Sequence, residues 1–438
     1  MKHHFTTIML TVLLLNGVVL PQETATQRLS LGEALQIAAE GSHQIQIARS
    51  QLDQAKGRNL EGWQAFLPDV TLSENYLRST DPVAVFSMKL KQGVFTAADF
   101  DVNALNNPDA FDNFNAAIQV KQPLINIDAF YGKSAASLGV KAREAAFLRA
   151  EEAVELSVTK AYYGLVFARE SQKAVQEALA SAQLHRDDAK AAMEEGLINE
   201  ADFLAAEVRL AELTENLISA RHMVANASDV LKFMMGLEND SMIIPVDTLA
   251  TPVVNATEPF SAANRHDLVA LGFQQKAAHR NLWIKRGSWI PRLNAFGGWE
   301  WNGAKLFEQN ASNWTVGLQL QWNIFSGLGH FGRSKQAAAE KEIVQIQYRQ
   351  AEDQANMQVR QAQRTLKATS ERIHVAQTAV TQATQSLRIV EARFKEGLEK
   401  TSDLLDKEVA LTNARLRLLK AKHDHTVAIQ ELKFASGV

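Results

Sequence analysis

Residues 355–394 read ANMQVRQAQRTLKATSERIHVAQTAVTQATQSLRIVEARF. Apolar side chains recur there at alternating steps of four and three: Ala355, Val359, Ala362, Leu366, Ile373, Ala376, Val380, Ala383, Leu387, Val390 and Phe394. Thr369 is the one interruption. An average step of 3.5 residues is the coiled-coil period, so this is one seam of a very long helix. The seam also stands 201 residues earlier, from Val154, Val158, Ala161 and Leu165 to Ala189 and Met193, with Gln172 and Arg186 as polar breaks. The chain therefore carries an internal duplication, each copy built around one Ala-rich helix.

Working outward, the two helices span about 128–195 and 329–396, each about 100 Å long at 1.5 Å per residue. Gly196 and Gly397 stop them. Shorter helices follow at about 200–235 and 402–435, and others precede at about 44–66 and 266–289 until Pro68 and Pro291 end helical geometry. Ser30-x-x-Glu33 is a capping box that opens a helix over about 31–39. In each copy the two shorter helices sum to about 90 Å. Stacked beside the long helix they make a two-helix rod, and two copies make a four-helix segment.

Between helices the hydrophobic period switches to two. Strands are expected over about 68–78, 114–125, 291–302 and 313–325. The last is the cleanest: Trp314, Val316, Leu318, Leu320, Trp322 and Ile324 alternate with Thr315, Gly317, Gln319, Gln321 and Asn323. Each strand has one apolar and one polar side, as a membrane barrel needs, although Glu74 breaks the apolar side of the first. Six of the seven Trp lie between Trp283 and Trp322. Trp314 and Trp322 are about 26 Å apart along a strand. With Trp299 and Trp301 they read as aromatic girdles bounding a lipid-facing band. A soluble β-sandwich also alternates, but would not need helices of this length. The stretch 79–113 reads as a long polar loop, and loops of that length are usually functional or external.

The 438 residues include no Cys, which excludes disulfides and thiol chemistry, and the net charge of −3 does not suggest a nucleic-acid partner. Residues 1–25 read as a secretory signal peptide, with a basic start and a short apolar core. Residues 26–236 form the first repeat, 237–264 an irregular Pro-containing connector and 265–438 the second repeat. Four strands cannot close a barrel, and an open edge in lipid leaves backbone groups unpaired. The chain is therefore expected to oligomerise. Three copies, giving twelve strands, are preferred over two because eight strands leave no channel.

These features resemble the TolC-type outer-membrane efflux proteins. The resemblance is carried by Leu29-Ser30-Leu31-x-Glu33-Ala34-Leu35, Phe66-Leu67-Pro68, Gln122-Pro123-Leu124 and the Gly-Leu turns at 196–197 and 397–398. It covers essentially the whole mature chain. Departures are Ser42-His43 where the family often has Asn-Pro, Asn323 where it has Pro, and Glu399 where its tips use Arg. The resemblance implies a mainly α fold with a membrane β-barrel: a homotrimeric 12-stranded β-barrel continued by a coiled-coil α-helical barrel into the periplasm, with 237–264 at the equatorial region. It implies an exit duct in the bacterial outer membrane for an inner-membrane pump, proton-driven or ATP-driven, joined through a periplasmic adaptor. The cargo would be small molecules or ions. A duct for type I protein secretion shares every feature, and a soluble periplasmic coiled-coil adaptor is a third reading.

By the same resemblance Gly196, Leu197, Gly397 and Leu398 form the adaptor-docking tip. Asp202, Asp403 and Asp406 form a periplasmic gate, where Asp403 and Asp406 would line a cation-attracting ring. Without it, the turns read as helix C-caps with each Leu packed back on the last turn, and the Asp as helix-start residues favoured by the dipole. Glu399 in place of Arg would make the tip more acidic. Gly327-Leu328-Gly329-His330-Phe331-Gly332 fits G-x-G-x-x-G, but the following helix returns to no parallel strand. It reads as a strand-to-helix corner. The eleven His show no metal spacing. No structural metal, no cofactor and no enzymatic activity are expected.

Overall fold

The computed structural model describes residues 26–249, 260–306, 308 and 311–437. The expected signal peptide and residues 250–259 of the connector lie outside them. In chain order the elements are β1 (Thr26–Leu29), α1 (Leu31–Gly41), α2 (His43–Glu61), β2 (Asp69–Ser79), α3 (Pro82–Lys91), α4 (Val102–Asn106), β3 (Phe111–Ile125), α5 (Ile127–Glu194) and α6 (Glu200–Met235). They continue as β4 (Met242–Pro245), α7 (His266–Gly287), β5 (Arg292–Gly303), β6 (Ala311–Gln321), α8 (Gly329–Lys395) and α9 (Thr401–Ser436). These residues fall into two units, 26–38 with 158–249 and 376–423, and 39–157 with 260–375 and 424–437.

The first unit is helical with one small parallel sheet. Ser30 and Glu33 make the capping box: the Glu33 carboxylate accepts from the Ser30 N–H at 2.8 Å and from its hydroxyl at 2.7 Å. These bonds hold the Glu33 carboxyl below its usual range. Strand β1 pairs in parallel with β4, Gln27 opposite Ile243. The stretch expected to be an irregular connector thus contains a strand, and Ile243 is fully buried. Tyr162 of α5, also fully buried, ties the strand ends together. Its hydroxyl donates to Leu29 O at 3.0 Å or Asp247 Oδ2 at 2.6 Å, and Asp247 Oδ2 accepts the Leu31 N–H at 2.9 Å. Burial first, then the Asp247 hydrogen bond, pushes the phenol's pKa well up.

The second unit contains a helical core and the larger sheet. On α8 the seam residues Ala355, Val359, Ala362 and Leu366 pack with Leu268, Ala428, Ile429, Leu432 and Ala435. Burying such a Leu or Ile contributes about 1.5–3 kcal/mol. Thr369, the seam's interruption, is buried with its hydroxyl bonded to Thr365 O and Leu366 O, both at 2.9 Å.

The sheet has order β2-β3-β5-β6, antiparallel throughout, so β2 and β6 are its edges. Its register aligns the two faces across all four strands. Leu72, Ile118, Trp299 and Trp314 form one apolar row, and Val70, Val120, Gly297 and Val316 the next. Thr71, Gln119, Gly298 and Thr315 form a row on the opposite face. One end of the sheet adjoins α5 and α8; the other carries the hairpin connections.

The connection from β2 to β3 is not the structureless loop expected from its polarity. Asp81 caps α3, accepting the Ala84 N–H at 2.7 Å, with Pro82 in the first turn. A 3₁₀ turn, Ala97–Phe100, carries its own capping box from Thr96 and Asp99, and α4 follows. Asp81-Pro82 opens a helix, because Pro fits the first turn and Asp supplies the missing acceptor.

Candidate functional site

Two surfaces carry the candidate residues, one in each unit. In the sheet, Trp299 stands directly opposite Trp314, and the Trp299 and Trp301 rings are 6.2 Å apart. Trp322 lies one residue past β6 and donates from Nε1 to Trp289 O at 3.0 Å. Between Trp314 and Trp322 the apolar side chains Val316, Leu318 and Leu320 are each about as exposed as Trp314. Nothing within this chain covers that face among the described residues. The opposite face is concave and lined by Gln119, Lys121, Asn294, Glu300, Thr315 and Gln319. Phe296 also lies on it, over Gly317, where a Cβ would stand 2.5 Å from the Phe296 ring. No helix among the described residues is long and apolar enough to cross a membrane.

The second surface is the helix turns of the first unit. Gly196 and Gly397 have φ of +72° and +74°, the left-handed region that favours glycine. The Leu197 N–H reaches Ala192 O at 2.8 Å and the Gly196 N–H reaches Met193 O at 2.9 Å. Leu398 and Gly397 repeat this on Arg393 and Phe394, so both turns are Schellman caps. Neither Leu packs back on its helix as a cap normally has it: Leu197 is 72% and Leu398 62% exposed. His185 faces Glu408 and Glu177 faces Arg415, so α5 and α9 run antiparallel. Extending that pairing brings Gly196 level with Gly397, and both exposed Leu come to one end of the unit.

Asp202 lies in the first turn of α6, where Asn199 Oδ1 caps its N–H at 2.9 Å. Asp403 lies in the first turn of α9, partly buried, and Asp406 follows one turn on, exposed. At i and i+3 the last two share a helix face. Glu399 does not simply add negative charge to the tip, because Arg393 Nε pairs with it at 3.0 Å. The sequence reading missed a buried contact nearby: Glu408 accepts from His185 Nε2 at 2.9 Å and Ser181 Oγ at 3.0 Å. Its only sequence signal is a polar residue beside the seam. The G-x-G-x-x-G stretch is a corner, with Gly327 at φ +62° and α8 starting at Gly329. No group of His, Asp and Glu among the described residues could hold a metal ion.

Long helices joined to a sheet with one exposed apolar and one polar face define a channel-type fold. Comparison with known proteins agrees. The model of the outer membrane efflux protein family matches residues 34–237 and 261–438. The chain is 23% identical over 425 residues to the alkaline protease secretion protein AprF of Pseudomonas aeruginosa, covering 94% of this chain and 85% of that protein. It is 21% identical over 357 residues to the outer membrane protein TolC of Vibrio cholerae, covering 78% and 80%. Its fold matches the outer membrane protein VceC of Vibrio cholerae at a TM-score of 0.78, with 20% identity, over 93% of this chain and 96% of that one.

The chain belongs to the outer membrane efflux protein family. Its role is that of an outer-membrane exit channel, not an enzyme. This displaces the soluble-adaptor reading.

Proposed function

We propose that three copies of this chain form a passive duct across the outer membrane, working with a periplasmic adaptor and an inner-membrane pump to export small molecules or ions. The observation that carries this is the sheet itself. It presents an exposed apolar face and leaves β2 and β6 as edges. In lipid an unpaired edge costs several kcal/mol per backbone group, so β6 of one copy pairs with β2 of the next. Four strands from each of three copies make twelve, enough for a water-filled interior.

In this arrangement Trp299, Trp301, Trp314 and Trp322 face the membrane boundaries and the Gln119–Lys121 face lines the duct. The helical part is a periplasmic barrel, and its exposed Leu197 and Leu398 dock the adaptor. The inner-membrane partner supplies the energy. A second reading, export of a protein by a type I system, is favoured by the likeness to AprF over nearly the whole chain.

The test has two parts. Native mass measurement of the detergent-solubilised protein is expected to give a threefold species, and a stable monomer would refute the duct. Deleting the gene in its host is expected to raise cellular accumulation of small toxic solutes. Loss of a secreted protein from the medium with unchanged accumulation would instead establish the protein-secretion reading.

A further inference from the structure

The connection between β2 and β3 does not extend away from the sheet. Helix α3 ends at Lys91 with Gln92 as its cap, and Gly93, φ +66°, follows, so that the Val94 N–H turns back to Lys89 O at 3.0 Å. That stop places Gln92 against the hairpin end of the sheet. Gln92 is 2% exposed, and its Nε2 lies 2.8 Å from Asp112 O, 2.9 Å from Asn113 Oδ1 and 3.2 Å from Gly303 O. Asn113 and Asn115 both donate to Oδ1 of the fully buried Asn302, each at 3.1 Å. One residue earlier, Lys91 Nζ pairs with Glu300 Oε1 at 3.0 Å.

The strand register fixes the direction. Asn115 stands opposite Asn302 and Ala117 opposite Glu300, in step with Gln119 and Thr315 on the polar face. Both anchors of α3 are therefore on the polar side of the sheet. Asn302 Nδ2 is buried without a partner, but Gln92 Nε2 is paired, and leaving that buried amide unpaired would be costly, so its bonds hold the segment in place. The segment is also internally braced. Phe95 stacks edge-on with Phe86 and Phe100 at 5.0 and 5.2 Å, and Lys89 pairs with Asp99 at 2.7 Å.

We propose that α3 is the exit constriction of the duct: anchored through Gln92 and Lys91, three copies reach over the polar face and set the size limit for what leaves. This rests on the channel reading above. A narrow segment in series with a wide duct dominates its resistance.

Planar-bilayer conductance and exclusion of neutral polymers of graded size, measured on assembled trimers, test the proposal. Gln92→Ala combined with Lys91→Ala is expected to raise conductance above the parent's and admit larger polymers. A second variant adds Gly93→Cys and Ala311→Cys. A Cβ at Gly93 would lie 3.7 Å from that of Ala311, within disulfide range, and the chain has no other Cys. Assembled oxidised, this variant is expected to keep the parent conductance and to widen when reduced, even if the unbridged variant fails to assemble. Parent conductance and exclusion in either freed trimer would overturn the proposal. A trimer that carries no current even when Asp403→Ala and Asp406→Ala remove the carboxylates of the periplasmic gate would overturn the channel reading and the constriction with it.

Discussion

His185 Nε2 and Glu408 Oε1 lie 2.9 Å apart and tie α5 to α9, with the Glu408 side chain only 9% exposed. The hydrogen bond to Glu408 is the main cause that raises the His185 pKa; burial opposes it, and Glu391 and Asp188 add to it. A raised pKa in the folded state makes the protonated pair stabilising. That contribution is full below about pH 6.5 and is lost as pH rises through the raised value. The thermal midpoint of the detergent-solubilised protein is expected to fall as pH rises above that point. His185→Gln should flatten the slope. His185→Ala should cost about 2–3 kcal/mol below it, because the buried Glu408 carboxylate loses its imidazole partner. Equal slopes in parent and His185→Gln would remove the pair from the pH response.

The two faces of β6 provide a sidedness test. Leu318 stands on the apolar face and Gln319 beside it on the polar face. Leu318→Lys is expected to cost about 2–4 kcal/mol where it meets the middle of the bilayer, and to reduce assembled trimer. Gln319→Lys should assemble normally and alter only ion selectivity. The reverse pattern in a heat-modifiability assay would turn the sheet inside out.

Asp403 and Asp406 share one face at the start of α9. In three copies they would form two stacked rings of carboxylates that attract cations. Divalent or trivalent cations on the periplasmic side are expected to reduce conductance, and replacing both Asp with Ala should abolish that block. Asp202→Ala should matter less, since Ala205 stands where the second carboxylate would be. An unchanged block in the double variant would assign the ring to other residues.

Leu197 and Leu398 are exposed at the ends of capped turns whose backbone bonds do not involve their side chains. Leu197→Asp with Leu398→Asp should therefore leave trimer mass and conductance unchanged while abolishing export in cells. Gly196→Ala acts differently, costing about 1–2 kcal/mol through left-handed strain. Export at parent level in the double Asp variant would separate docking from these turns.

Much of the helix and strand layout was legible because it rests on periodicity, which a single strand or helix expresses by itself. The 3.5-residue seam from Ala355 to Phe394 requires a long helix wherever it packs. The alternation from Trp314 to Trp322 requires a strand with unlike faces. Gly196 and Gly397 mark stops because only their own backbone must turn left-handed. Other features depend on partners far along the chain, and no local pattern encodes them. Strand β4 looks irregular until β1 pairs with it, 216 residues separate Leu31 from the Asp247 that holds it, and Glu408 finds His185 only when α9 folds along α5. Residues 79–113 are polar enough to read as loop. Gln92 becomes an anchor because tertiary folding buries it against Asn113 and Gly303, where an amide must be paired.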